Sequence, residues 1–251
     1  MPVITLTTDF GLSDHFVGTM KGVIAGIAPK STVIDICHLV TPHNIAEGAF
    51  VLSQAYRYFP KGTIHVAVVD PGVGTQRRPI LAQANGQYFI GPDNGIFSFL
   101  EKVKVRAIEN TRYFLPAQSS TFHGRDIFAP SAAHLAAGQK PKSFGPLIND
   151  PVTIDLFPKQ LTRKKWTGLV LKVDHFGNLI TNLPATLGRV KQLTIADRTL
   201  TETAATYQQM SDTTPTLIAG SSGYFEVSVR QGSAQAALGC GAGTPLELTL
   251  W

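Results

Sequence analysis

The sequence predicts an α/β N-terminal domain, a mostly parallel sheet flanked by helices, followed by a smaller all-β C-terminal domain. Three observations carry this. From residue 3 to about 140, β-branched runs alternate with stretches of helical spacing; residues 141–165 are rich in proline and lysine and hold no period; beyond Trp166 the apolar runs are short and separated by turn residues. The domains are therefore placed at 1–150 and 166–251, with 151–165 as a linker.

VITLTT (3–8) is the first strand. Phe16, Met20, Val23, Ile24 and Ile27 then fall at helical spacing until Pro29 stops the helix. STVIDI (31–36) is the second strand. A helix is expected to open at Thr41-Pro42-His43-Asn44 and run to about Tyr58, because proline is tolerated in a first turn and Asn44 with Glu47 has the form of a capping box. TIHVAVV (63–69) is apolar almost throughout, as a strand covered on both faces must be. QYFI leads to a turn at 91–95 and an apolar stretch at 96–100, and 125–137 forms a further helix that Gly138 ends. In the C-terminal part, LVLKV, TNL, QLTIA, TLIA, YFEVSV and PLELTL are the strands.

Composition narrows the function. The 251 residues are 43% hydrophobic and 16% charged, ordinary for globular domains with real cores. No run approaches the roughly 18 apolar residues that span a bilayer, and MPVITLTTDF has neither the basic start nor the apolar run of a signal peptide, so a cytoplasmic protein without membrane contact is expected. Cys37 and Cys240 stand far apart in no paired spacing, which argues against a disulfide framework or a thiolate metal site. The net charge of +5 is mild and its cations are dispersed, so no nucleic-acid partner is expected. Phosphate-loop, dinucleotide-fingerprint, HExxH and nucleophile-elbow motifs are all missing, and no metal is implied.

Acids stand where ligands sit in open α/β sheets, at the carboxyl ends of strands: Asp9 in TTDFGLSD and Asp70 in VVDPGVGTQRRP. Each has a bland reading, Asp9 as a helix cap and Asp70-Pro71-Gly72 as a turn. A third polar cluster, TFHGRDIFAP (121–130), puts His123 beside Phe122 just before a helix, and the three together point to a site.

TTDFGLSD, VIDICHLVTPHNIAEGA, VVDPGVGTQRRP, IGPDNG, FHGRDIFAPSAAHLA, VDHFGNLITN and SSGY, in this order along nearly the whole chain, resemble the S-adenosyl-L-methionine (SAM) hydroxide adenosyltransferases, adenosine-forming SAM hydrolases related to fluorinating and chlorinating enzymes. The resemblance implies a barrel-like C-terminal domain and a homotrimer whose sites combine the N-terminal domain of one subunit with the C-terminal domain of the next. The implied reaction is SAM plus water giving adenosine and L-methionine, with SAM as substrate and no cofactor. Asp70, Arg77 and His123 match the acid, arginine and histidine that hold and polarise the attacking water. Asp9 matches the acid on the ribose hydroxyls, Asp14 and Asp174 match positions that meet the methionine ammonium, and Ser221 lies where the amino-acid end is contacted. Asn178 suits an adenine edge, and Phe122 and Tyr207 offer flat faces to the purine.

Three departures concern recognition: His43 stands for a tryptophan of the halogenating relatives, Ser222 for an arginine and Gly124 for a serine. Arg78 beside Arg77 leaves two registers; family spacing favours Arg77, with Arg78 at a surface or interface. Two other functions compete with hydrolysis: a protein that binds SAM or adenosine without turnover, and a halide-using transferase, against which Asp70 and His123 argue.

Overall fold

The computed structural model describes residues 1–251. It divides into two compact units, Met1–Asp155 and Leu156–Trp251.

The first unit runs β1 (Val3–Thr8), α1 (Phe16–Ile27), β2 (Thr32–Cys37), α2 (Ile45–Ala55), β3 (Ile64–Val68), β4 (Pro79–Ala84), β5 (Gln87–Pro92), β6 (Lys104–Ala107), α3 (Ala129–Ala136) and β7 (Leu147–Ile148). Its sheet has the order β2-β1-β3-β5-β4-β6-β7. The first four strands of that order are parallel and the last three pair antiparallel. The switch comes from a two-residue hairpin between β4 and β5, Asn85-Gly86, both with positive φ (54° and 77°). A tight turn that keeps the strand twist needs this conformation, and Asn-Gly adopts it most readily. β4 was absent from the sequence reading, although Asn-Gly was there to announce it.

Helices cover both faces. Ile4, Leu6, Val66, Val68 and Ile90 pack with Met20 and Ile24 of α1 and Ala132 and Ala133 of α3 in one core. Across the sheet, His65 stacks on Phe89 with centroids 5.0 Å apart, and its Nδ1 lies 2.7 Å from Thr5 Oγ1. Burial pushes the His65 pKa down to about 4.

Two helices differ from expectation for stated reasons. α2 opens at Ile45, with Asn44 as its cap accepting from Glu47 N–H at 3.0 Å, so Pro42 and His43 precede the helix; Tyr56–Tyr58 close it in a 3₁₀ turn. The helix expected at 125–137 is two pieces, a π-turn at Gly124–Phe128 and then α3. Pro130 causes the break. It has no N–H to give the carbonyl of Asp126, four residues back, and that oxygen accepts from Leu115 N–H at 2.9 Å instead.

The second unit is one strongly curled sheet. Its strands are β8 (Lys159–Thr162), β9 (Lys165–Val173), β10 (Leu179–Pro184), β11 (Val190–Ile195), β12 (Arg198–Leu200), β13 (Thr203–Ala204), β14 (Thr216–Ala219), β15 (Tyr224–Ser228) and β16 (Pro245–Leu250). Their order is β12-β11-β16-β9-β10-β15-β14-β13, with β8 on β9. A short helix, α4 (Ala234–Leu238), interrupts the β pattern, capped by Ser233. β8 lies within the stretch read as a linker; every residue of it is exposed, so no apolar alternation marks it. No helix is long and apolar enough to cross a membrane.

Candidate active site

β1 and β3 are parallel neighbours with Thr8 opposite Val68, so the residues that follow them leave the sheet at one edge. Asp9 follows β1 directly and Asp70 comes two residues after β3. The connections diverge here, which is where open α/β sheets place ligands.

Asp70 and Arg77 are joined across the intervening loop. Arg77 Nε donates to both Asp70 oxygens at 3.0 Å, and Nη2 donates to Oδ2 as well. The same Nη2 reaches His123 Nδ1 at 2.7 Å. A guanidinium has no acceptor, so Nδ1 offers its lone pair and the neutral imidazole carries its proton on Nε2. Burial, and after it the Arg77 charge, pushes the His123 pKa down, which favours that neutral form. Arg78 turns the other way. Its Nε and Nη2 donate to Asp93 Oδ2 at 2.9 and 2.7 Å and its Nη1 to Asp150 Oδ1 at 2.9 Å, so it ties the loop to these two acids while its side chain stays 34% exposed.

Gly74 seats this loop. Its φ is +78°, and a methyl group there would run into the Ser120 carbonyl. The loop that carries Asp70 and Arg77 can thereby lie against the segment that leads to His123.

Asp9, Asp70, Phe122, His123 and His43 line one cavity of about 310 Å³. Phe10, Phe16 and Phe122 meet edge to face at 5.1–5.9 Å and form its apolar side. Asp9 Oδ2 accepts from the His43 N–H at 2.8 Å, and His43 adopts φ +68°. Gly124 also lines the cavity; a Cβ there would come within 3.2 Å of the Phe10 ring, so a serine would need that ring to give by a few tenths of an ångström. Asp14 is exposed on the loop before α1 and does not line the cavity.

The remaining candidates belong to the second unit. Asp174 organises a turn: Oδ1 accepts from the N–H groups of Phe176 and Asn178, both at 2.9 Å, and Oδ2 from Asn178 Nδ2 at 2.9 Å. Gly177, at φ +82° and packed on the Ser233 side chain, makes the turn possible. Asn178 and Tyr207 line a cavity of about 510 Å³ with Phe176 and Arg230. Tyr207 Oη donates to Glu226, and burial followed by that carboxylate raises the phenol pKa. Ser221 is exposed in the turn between β14 and β15 and stands apart from this cavity, while the Ser222 hydroxyl beside it is buried without a protein partner. Phe10, Phe16, Thr121, Phe176 and Arg230 line these cavities without having been marked as site residues in the sequence. Phe10, Thr121 and Phe176 sit inside motifs already singled out and Phe16 was placed only as a helix residue, but Arg230 carried no signal.

Residues 4–145 match the model of the SAM hydroxide adenosyltransferase N-terminal domain, and residues 168–247 that of the C-terminal domain. The chain belongs to the SAM hydroxide adenosyltransferase family. Relatives named (R)-S-adenosyl-L-methionine hydrolase come from Thermus thermophilus, 38% identical over 99% of this chain and 100% of the relative, and from Salinispora tropica, 40% identical over 99% and 98%. Enzymes named fluorinase match at 27–30% identity. A crystal structure of an uncharacterized conserved protein from Thermotoga maritima superposes with a TM-score of 0.88 at 33% identity, covering 99% of this chain and 100% of the other. This SAM hydroxide adenosyltransferase family member holds no cluster of three or more His, Cys, Asp or Glu side chains suited to a metal ion.

Proposed function

We propose that the chain hydrolyses SAM to adenosine and L-methionine, by in-line attack of water at C5′ of the ribose. The observation that carries this is the buried Asp70–Arg77–His123 cluster beside a nucleoside-sized cavity, supported by the relatives whose name is (R)-S-adenosyl-L-methionine hydrolase. Following that name, the substrate is taken as the R sulfonium.

A sulfonium brings its own neutral leaving group. The C5′–S bond breaks with its electron pair going to sulfur, a C5′–O bond forms, and a proton leaves the water. No acid is needed at sulfur and the reading calls for no cofactor. The difficulty lies in the nucleophile. His123, with Nδ1 turned to Arg77, has Nε2–H to give and acts as a donor to the water rather than as its base. Asp70 is the acceptor of the water proton. Arg77 fixes both groups in place and adds positive charge that favours hydroxide character, a preorganised electrostatic contribution. Holding water about 3–3.5 Å from C5′ removes an entropic part of the barrier.

Asp9 receives the ribose hydroxyls and Phe122 the purine face. Asp174, Asn178, Tyr207 and Ser221 complete recognition from the second domain, in a homotrimer with intersubunit sites. Asp14 is assigned to the methionine ammonium by resemblance alone. The halide-using alternative would have to dispense with Asp70 and His123.

The test is incubation of the purified protein with each SAM epimer in ordinary and oxygen-18 water, with chloride varied. Labelled adenosine from the R epimer, lost in Asp70→Ala, is the expected result; intact substrate despite binding would sink the hydrolase reading. Mixing Asp70→Ala with Asn178→Ala subunits tests the trimer: intersubunit sites predict recovered activity in mixed oligomers, and no recovery overturns that arrangement.

A further inference from the structure

We infer that Phe128 is a positioning residue for the reaction, a ring that holds the Arg77 guanidinium in the plane from which it meets Asp70 and His123. Arg77 is gripped on two sides by one short segment. His123 meets its edge, with Nη2 to Nδ1 at 2.7 Å, and the guanidinium Cζ lies over the Phe128 ring, 5.2 Å from its centroid.

These two residues are five apart, and in a regular α-helix residues five apart point about 140° away from each other. The π-turn narrows that separation. Ala129 N–H donates to Gly124 O, five residues back, and the widened turn carries His123 and Phe128 to the same arginine. Pro130 makes the wide turn the relaxed one, since it cannot supply the α-helical bond to Asp126 O. The grip therefore follows from the local sequence HGRDIFAP.

Phe128 is fully buried and Arg77 nearly so. A guanidinium over an aromatic face is attracted by the ring's quadrupole, more strongly when water is excluded, and its plane is fixed by the contact. Arg77 must serve three acceptor atoms in two directions, both Asp70 oxygens and Nδ1, so a tilt of its plane loosens one partner whenever it keeps the other. Phe128 also packs in the core with Ile127, Ala129 and Ala132, so its truncation alone would say little.

The inference rests on the hydrolase reading for its kinetic test and not for its spectroscopic one. Phe128→Leu keeps an apolar side chain and removes the ring face. The expected result is a kcat about tenfold lower with KM for SAM within twofold of the parent. In an Arg77→Lys background, where no guanidinium plane remains, the same substitution should change kcat less than twofold. Equal losses in both backgrounds would make Phe128 only a packing residue and overturn the inference. Titration of His123 by NMR needs no turnover: its midpoint should rise in Phe128→Leu as Arg77 loosens, and an unmoved midpoint would also overturn it. Should the parent protein fail to turn over SAM while the midpoint shifts, the hydrolase reading fails and the Phe128–Arg77–His123 coupling stands.

Discussion

Arg77 Nη2 donates to His123 Nδ1 at 2.7 Å while its Nε and Nη2 engage Asp70, so one guanidinium sets both the tautomer of the histidine and the position of the carboxylate. Protonating His123 would turn Nδ1 into a donor facing a donor. Activity should therefore be flat through neutral pH and fall only as His123 takes up a proton, below the ordinary histidine value of about 6.5. A pH profile of kcat/KM checks this; an acid limb centred above neutrality would count against the assigned tautomer.

Asp70→Asn removes the proposed proton acceptor and leaves Arg77 buried without its counter-charge. Turnover should drop by about 10²–10⁴-fold, the range of a lost general base. Stability should fall too, by up to about 3–5 kcal/mol, because both side chains of the ion pair are almost fully buried. Kinetics and denaturant unfolding on the same sample separate the two effects, and unchanged stability would mean that Arg77 finds another partner.

His65 gives the fold an acid sensitivity independent of the site. Its pKa is about 4 in the folded protein against about 6.5 unfolded, so between those values the unfolded chain binds more protons. Stability from this group is complete above about 6.5 and is lost as pH falls toward 4, by roughly 3 kcal/mol in all. Urea unfolding from pH 7 to pH 4.5 should show a shallower decline in His65→Gln than in the parent.

Gly177→Ala tests the turn that presents Asp174 and Asn178. The left-handed φ costs about 1–2 kcal/mol for a residue with a Cβ, and the added methyl meets the Ser233 side chain. KM for SAM should rise several-fold with a smaller change in kcat. A proportionate loss in kcat alone would place this turn away from substrate binding.

Asn44→Ala removes the side chain that accepts from Glu47 N–H at the start of α2. The expected cost is about 1 kcal/mol. A thermal melt should show a small drop in midpoint, and no change would mean that water caps the helix equally well.

The sequence by itself determined the elements whose signals are local. β1 was legible as a β-branched run and β3 as an apolar one, α1 by its spacing, the cap of α2 by Asn44, and the acids at strand ends by position. The motifs also sufficed to name the family. Tertiary structure decided what depends on partners. β8 has no apolar alternation because all of it is exposed, and it exists only through pairing with β9. The three-way contact of Asp70, Arg77 and His123 spans 53 residues in sequence, and it depends on the close approach at Gly74, which lays the Asp70–Arg77 loop against the segment leading to His123. Arg77 and Arg78 are the same residue type one position apart, and only the spacing of the family motif favoured Arg77. The fold separates them, because adjacent side chains entering a strand turn to opposite sides, one to Asp70 and the other to Asp93.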